Sequence, residues 1–403
     1  MKPLKGVTVI DLSKVFAGPH CTQYLGDLGA DVIKVEPVKG GDDTRQWEPK
    51  KDGQSSTFLA FNRNKRSLAV DLKTAEGREI VHKLAARADV FIQGFKGGTA
   101  KKLGVDYQTL KALNGRLVYC EISGYGQEGP LAGYPGYDVM LQAFGGIVGS
   151  MSTKGGPPVR VSFSPVDLGT GMLGVSAILA ALMERDKTGK GVHVELTLLD
   201  TAISLMGYLA QNYWLAGIVP YSTGSGHTSL APYQAFRASD GYLMIGAGND
   251  QQWRKLCDIL GLEAYADDPR FATNTERVRH SIECAALVQD VIGTHTVEHW
   301  LEKLGEAGLP SAPVHGIDQA LQHPQIEARK LVVKPRHPVL GELPLVGFPV
   351  VFNGEQRETP TAPPLLGEHS ADILKDLGYD DGAISSLAGR GVIGTPEREK
   401  ADA

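Results

Sequence analysis

One carboxylate stands out for its surroundings. Asp167 lies in SFSPVDLGTGM (162–172), behind a proline and close to Gly169, Gly171 and Gly174. Two chemistries suit a lone aspartate at the mouth of an apolar helix. As an N-cap it accepts backbone N–H bonds and opposes the positive end of the helix dipole, a contribution of about 1 kcal/mol. As a reagent it is presented to a ligand at the helix end, and with an ordinary pKa near ~3.9 it is ionised at neutral pH. The glycines bear on the choice. Each costs about 1 kcal/mol relative to alanine inside a helix. That sacrifice makes sense where something approaches the backbone closely, and a ligand at the helix end is the sharper reading.

Other motifs carry less. GYGQEG (124–129) has the GxGxxG form and follows a strand-like run, but Pro130 and the GYPGYD loop replace the helix a dinucleotide site requires. HTVEH (295–299) has the order of some zinc proteases, yet Val297, Trp300, Leu301 and Leu304 make it one face of an amphipathic helix with no third ligand. Neither a P-loop nor a nucleophile elbow occurs.

The elements that must position Asp167 alternate in the first 200 residues, as in βαβ units around a parallel sheet. Strand-like runs are VTVIDL (7–12), DVIKVE (31–36), SLAVDL (67–72), DVFIQGF (89–95), RLVYCEI (116–122) and VHVELTL (192–198). A helix is expected from about Gly18 to Leu28, another over 74–88, and a long apolar one from Asp167 to the TGKG turn (188–191). Residues 1–200 read as a large Rossmann-like domain and 201–229 as a linker helix segment, with an apolar helix from roughly Asp200 to Ala216. A smaller α+β domain covers 230–325, with a hairpin at Ser239-Asp240-Gly241, and 326–403 return to the first domain.

Composition narrows the partners. With 41 basic and 46 acidic residues and no block of like charge, nucleic acid is not expected. The four cysteines, Cys21, Cys120, Cys257 and Cys284, show no CxxC pair, which fits a reducing, cytoplasmic setting and argues against structural zinc. No signal peptide is read at the N-terminus, and no apolar run is read as approaching the ~18 residues of a membrane span.

DLGTGMLGVSAILAALMERDKTGKG resembles the hallmark of class III CoA-transferases of the CaiB/BaiF type, the formyl-CoA and carnitine CoA-transferase superfamily. LKGVTVIDLSKVFAGP, LGDLGADVIKVEP, NRNKRSLAVDLKTAEG, SGYGQEGP and PPLLGEHSADILKDLGY extend the resemblance over nearly the whole chain. The resemblance implies a Rossmann-like large domain built from both chain ends, a smaller inserted domain, and an interlocked homodimer. It makes Asp167 the nucleophile, forming an aspartyl mixed anhydride and then an aspartyl-CoA thioester. Coenzyme A and acyl-CoA enter as substrates, with no permanent cofactor.

The same resemblance assigns Val15, Lys73, Phe95, Lys102 and Tyr137 to CoA binding. Gly246, Ala247 and Gly248, in GAGND, match a mobile glycine loop that closes over the site; an ordinary hairpin-end turn is the other reading. Departures are Gly94 before Phe95, and an apolar Val38 where an adenine-side arginine is usual, with Lys39 beside it. Racemases of the superfamily place histidine where Gly136-Tyr137-Asp138 has tyrosine, and glutamate where Asn249 stands, so CoA transfer is favoured over α-proton exchange. A catalytically silent CoA binder is the third reading. Phe16 occupies a position where oxalate-type enzymes have glutamine, while His20, Arg45 and Arg160 are cations or potential cations for a second carboxylate. A C4–C6 dicarboxylate paired with succinyl-CoA is the expected substrate set.

Overall fold

Alternating β-branched runs and helical segments produce the parallel sheet the sequence calls for. The computed structural model describes residues 1–396. Its main sheet contains β1 (Thr8–Asp11), β2 (Asp31–Glu36), β3 (Lys65–Val70), β4 (Val90–Gln93), β5 (Val118–Ser123), β6 (His193–Thr197) and β7 (Ile393–Gly394). The order is β7-β3-β2-β1-β4-β5-β6. The first six strands are parallel; β7 runs antiparallel to β3, with Ile393 opposite Val70. Strand order therefore reverses between β1 and β4. In such sheets the crevice beyond the carboxyl ends of those two strands is the preferred place for a ligand.

Five helices matter to the site: α1 (Ala17–Asp27), α2 (Ala75–Arg87), α3 (Asp138–Phe144), α4 (Pro165–Thr188) and α5 (Leu198–Ala216). Thr74 caps α2 by accepting from the Gly77 amide, and Ile80, Val81, Leu84 and Ala85 are buried at the expected spacing. The TGKG turn is structural. Gly189 ends α4 in the left-handed region at φ 70°, and a Cβ on Gly191 would lie 2.1 Å from the Leu117 carbonyl oxygen. Arg185, at the head of that segment, donates to Asp89 at 2.9 Å. The apolar helix expected over roughly Asp200 to Ala216 is α5, which ends at Ala216 because Gly217 turns left-handed at φ 66°; the rest of the linker, to 229, is not helical.

Two expectations about α4 need correction. By length and composition this helix is apolar enough to cross a membrane, contrary to the reading that no run approaches that length. Within the fold its apolar surface has other work, since Val166, Ile178, Ala181 and Leu182 join the core beneath β4 and β5. The glycines, attributed above to an approaching ligand, are instead where other helices touch. A Cβ at Gly171 would meet the Ala17 carbonyl oxygen at 2.7 Å and the His20 side chain at 3.0 Å; at Gly174 it would meet Cys21 Sγ at 3.0 Å; at Gly169, Thr201 at 3.1 Å. The missing side chains let α1 and α5 close on α4. Gly171→Ala is therefore expected to destabilise the fold by about 1–3 kcal/mol through overpacking against backbone, read as a lower melting temperature; an unchanged melt would mean that α1 yields at this contact.

The chain forms two compact units. The first holds 1–149, 159–219 and the described residues from 327 onward; the second holds 150–158 and 220–326. In the second, Tyr233–Arg237 and Tyr242–Gly246 form an antiparallel hairpin, and Ser311–Pro313 adds a third strand. Trp253, Phe236, Phe271 and Trp300 centre its core. HTVEH begins before the helix Val297–Glu306, which Thr296 caps, and Trp300 and Leu304 are buried. Among the described residues no group of histidine, cysteine, aspartate or glutamate is disposed to hold a metal.

Candidate active site

Asp167 is the third residue of α4 and does not cap it. Ser164 occupies the cap position without a side-chain bond, and Pro165 opens the helix. The amides of Val166 and Asp167 donate instead to Oδ2 of Asp138, at 2.8 and 3.1 Å. Asp138 starts α3, and its Oδ1 accepts from Gln142 one turn further on. Gln142 Oε1 in turn accepts from the Val161 amide at 3.0 Å. A neighbouring aspartate thus performs the capping, and the Asp167 carboxylate faces a cavity of about 250 Å³ that it helps to line.

The electrostatic consequence corrects the sequence reading. Burial and the nearby Asp138 carboxylate raise the pKa of Asp167 from 3.8 to about 7. At neutral pH a substantial fraction of Asp167 is therefore protonated. The ionised fraction is a stronger base, and so a stronger nucleophile, than a solvated aspartate.

The cavity sits at the strand-order reversal. Its walls come from the β1–α1 corner (Ser13 to Gly18), the loop after β4 (Gly94 to Gly97), the loop after β5 (Ser123 to Gln127), and the segment Gly133 to Tyr137. Two of these loops touch through glycine: a Cβ on Gly124 would lie 2.8 Å from the Gly136 Cα, and the converse also holds. Of the expected residues, Val15, Phe16, Phe95 and Tyr137 line this space with Asp167. A second cavity of about 520 Å³ opens beyond the ends of β2 and β3, lined by Val35, Val38, Leu72 and Leu103 with Lys39 and Lys73. Lys14 and Phe95 line both cavities.

The remaining residues fall elsewhere. Lys102 is exposed at the end of the short helix Thr99–Lys102 and lines neither cavity, although Leu103 beside it lines the second. His20 is buried in α1, edge-on to Phe61 at 5.6 Å and close to Tyr24 at 4.4 Å. Among the described residues neither of its ring nitrogens has a hydrogen-bond partner. Burial, with Arg63 and Lys65 nearby, lowers its pKa to about 4, so it offers no cation for a second carboxylate at neutral pH. Arg45 is also committed: it grips Glu36 with two bonds of 2.8 Å, reaches the Pro364 carbonyl at 3.2 Å, and lies 3.6 Å over the Phe58 ring. Arg160 is exposed and places Nη1 on the carbonyls of Val161 and Ser162 at 3.3 and 3.4 Å.

Gly246 and Ala247 lie at the end of the hairpin in the second unit. Their amides donate to Pro310 and Pro232, each at 2.9 Å, and Ala247 is fully buried. Only Gly248 of the three is partly exposed.

The sequence reading did not anticipate Lys14, Asp43, Lys96 and Tyr134 as cavity residues, nor Asp138 as the partner of α4. Asp138 had a signal available, because an acidic residue directly before an apolar helix belongs to a helix start.

The model of CoA-transferase family III matches residues 4–370. The chain belongs to CoA-transferase family III. Human succinyl-CoA:glutarate CoA-transferase is 38% identical to it over 395 residues, covering 98% of this chain and 90% of the human one. Succinyl-CoA:mesaconate CoA-transferase of Haloarcula hispanica is 35% identical over 396 residues, covering 95% and 98% respectively. A solved CAIB/BAIF family protein from Brucella suis has a TM-score of 0.84 and 39% identity, covering 93% of this chain and 99% of its own. The family III assignment makes the protein a CoA-transferase and accounts for the mixed α/β fold with its parallel sheet.

Proposed function

We propose that this family III enzyme moves CoA from succinyl-CoA to a C4–C6 dicarboxylate of the glutarate or mesaconate kind, with Asp167 as covalent nucleophile. The observation that carries the reading is the buried Asp167 carboxylate, raised to a pKa of about 7, lining a cavity at the sheet's switch point. The similarity to transferases named for glutarate and mesaconate supports the substrate class.

In the first step an Asp167 oxygen attacks the thioester carbonyl, the C–S bond breaks and the CoA thiolate departs, leaving a mixed anhydride. The thiolate then attacks the Asp167 carbonyl carbon; the donor acid leaves as its carboxylate and aspartyl-CoA remains. The acceptor carboxylate repeats these two steps in reverse order. Each step exchanges one acyl bond for another, so no electrons are gained or lost.

The second cavity suits the nucleotide end. Val35, Val38 and Leu72 offer an apolar slot to adenine, and Lys39 and Lys73 place cations near phosphate. Phe95 and Lys14, shared by the two cavities, mark the path of the pantetheine arm. Arg45 is committed to Glu36 and His20 is kept neutral by burial, which leaves Arg160, of the three, as the cation for the distal carboxylate. Gly248 is the member of the glycine loop suited to a lid. The exposed Tyr208, Tyr213, Trp214 and Leu215 of α5 supply apolar surface for the partner in a homodimer. Four buried free thiols fit a reducing cytoplasm.

The test is a panel of acids, including oxalate and monocarboxylates, offered with succinyl-CoA or acetyl-CoA, together with hydroxylamine trapping and peptide mass mapping. Transfer to glutarate or mesaconate and a hydroxamate on Asp167 are expected. Activity confined to monocarboxylates overturns the substrate class, and a label elsewhere overturns the nucleophile. Solvent deuterium appearing at an α-carbon instead would point to racemase chemistry.

A further inference from the structure

The β1–α1 corner that lines the active cavity is held in an unfavourable conformation. Val15 has φ 70° and is the sole β-branched residue at positive φ among the described residues. Left-handed backbone crowds the Cβ of any L-residue, most of all a branched one. What opposes this strain is a buried ion pair. The Val15 amide donates to both oxygens of Asp42, at 3.2 and 3.3 Å. Lys34 Nζ lies 2.9 Å from Asp42 and donates at 3.0 Å to the Ser13 carbonyl. The corner is therefore gripped at its carbonyl by one charge and at its amide by the other. Both side chains are fully buried. Asp42 is fixed in turn by the Thr44 amide and hydroxyl, at 3.0 and 2.8 Å, and its own amide donates to Glu36 at 3.0 Å. Neither Asp42 nor Lys34 lines either cavity, whereas Ser13, Val15 and Phe16 do.

We propose that Asp42 and Lys34 are positioning residues that hold the Ser13–Val15 corner in the conformation from which Val15 and Phe16 line the acyl-CoA channel. The proposal rests on the reading that this cavity receives acyl-CoA. It differs from a general stabilising role, because it makes Asp42 matter through the strain at one neighbouring residue. Glycine adopts φ 70° without that strain. Replacing Val15 with glycine therefore removes most of the corner's need for Asp42.

The experiment is a double-substitution cycle with Asp42→Ala and Val15→Gly, read as KM for succinyl-CoA and as kcat, with circular dichroism to confirm folding. Asp42→Ala is expected to raise KM about tenfold or more with Val15 present, and less than about threefold in the Val15→Gly background, a coupling of the size seen between contacting residues. Asp42→Asn, which keeps a carbonyl acceptor for the Val15 amide, is expected to fall nearer wild type than Asp42→Ala. The same KM factor in both backgrounds overturns the proposal. Should Asp42→Ala not fold, the melting temperatures of Val15→Gly and Val15→Ala decide. The glycine variant is expected to melt higher, and an alanine variant equal or higher shows that the corner is not strained. Absence of saturable succinyl-CoA turnover in the wild type strikes the functional reading itself; normal turnover without coupling strikes only this inference.

Discussion

Asp167→Ala is expected to lower kcat at least about 10⁴-fold, since the proposed covalent path disappears and only binding remains. Binding of CoA, measured by calorimetry, should persist, because most of the proposed CoA contacts lie on other loops. Residual transfer above about one per cent of wild type would exclude a covalent role. Asp167→Asn carries a second, thermodynamic signature. The folded pKa of about 7 lies above the ordinary 3.8. The folded state therefore holds the proton more tightly than the unfolded one, and ionisation in the fold opposes stability. This cost is absent below pH 4, grows as pH rises towards 7, and is complete above it. Asp167→Asn should thus melt higher than wild type at pH 8, by roughly 4 kcal/mol at most for three pKa units, with the gap closing by pH 4. An equal gap at both pH values would show that the carboxylate is not raised.

Asp138→Asn is expected to move the acid limb of kcat/KM downward by about one pH unit, because it removes the like charge while keeping an oxygen for the two α4 amides. The wild-type limb should fall near pH 7, where Asp167 ionises. The variant should then be relatively more active at pH 6, though with a lower plateau because its nucleophile is less basic. Asp138→Ala separates the two functions of the residue. It also strips the acceptor from Val166 and Asp167 and from Gln142, so it should lose about 1–2 kcal/mol of stability as a missing cap does. A limb that stays in place in Asp138→Asn would mean that burial alone raises Asp167.

The sequence revealed these relations unevenly. The strands were legible because runs such as VTVIDL and RLVYCEI are buried on both faces and bounded by turns. Asp167 was legible as a carboxylate at a helix mouth, with capping and reagent both open, but its place inside the first turn was not. That depends on Asp138, 29 residues away, taking the amides. The glycines of α4 were visible as an anomaly and assigned to the wrong neighbour; composition shows that space is needed but not which atoms enter it. Arg45 and His20 failed for a related reason. A basic residue near a motif looks available until its partners are known, and here Glu36 and Phe58 hold one while burial neutralises the other. The Asp42–Lys34 pair left a trace in DVIKVE, where lysine occupies the middle of a central strand and so must find a buried partner.

The last strand of the sheet has a consequence for biosynthesis. Ile393 and Gly394 pair with Val70 and Ala69, and Gly391, just before them, belongs to the wall of the second cavity. A nascent chain can assemble β1 to β6 once residue 197 has emerged, but at that stage β3 is an open edge and the second cavity lacks part of its wall. Such long-range closure is slow, and unpaired edges invite association with other chains. Closure of that wall therefore waits until residue 394 has emerged, and a fragment ending before residue 390 should be prone to aggregate and should bind succinyl-CoA more weakly than the 403-residue chain.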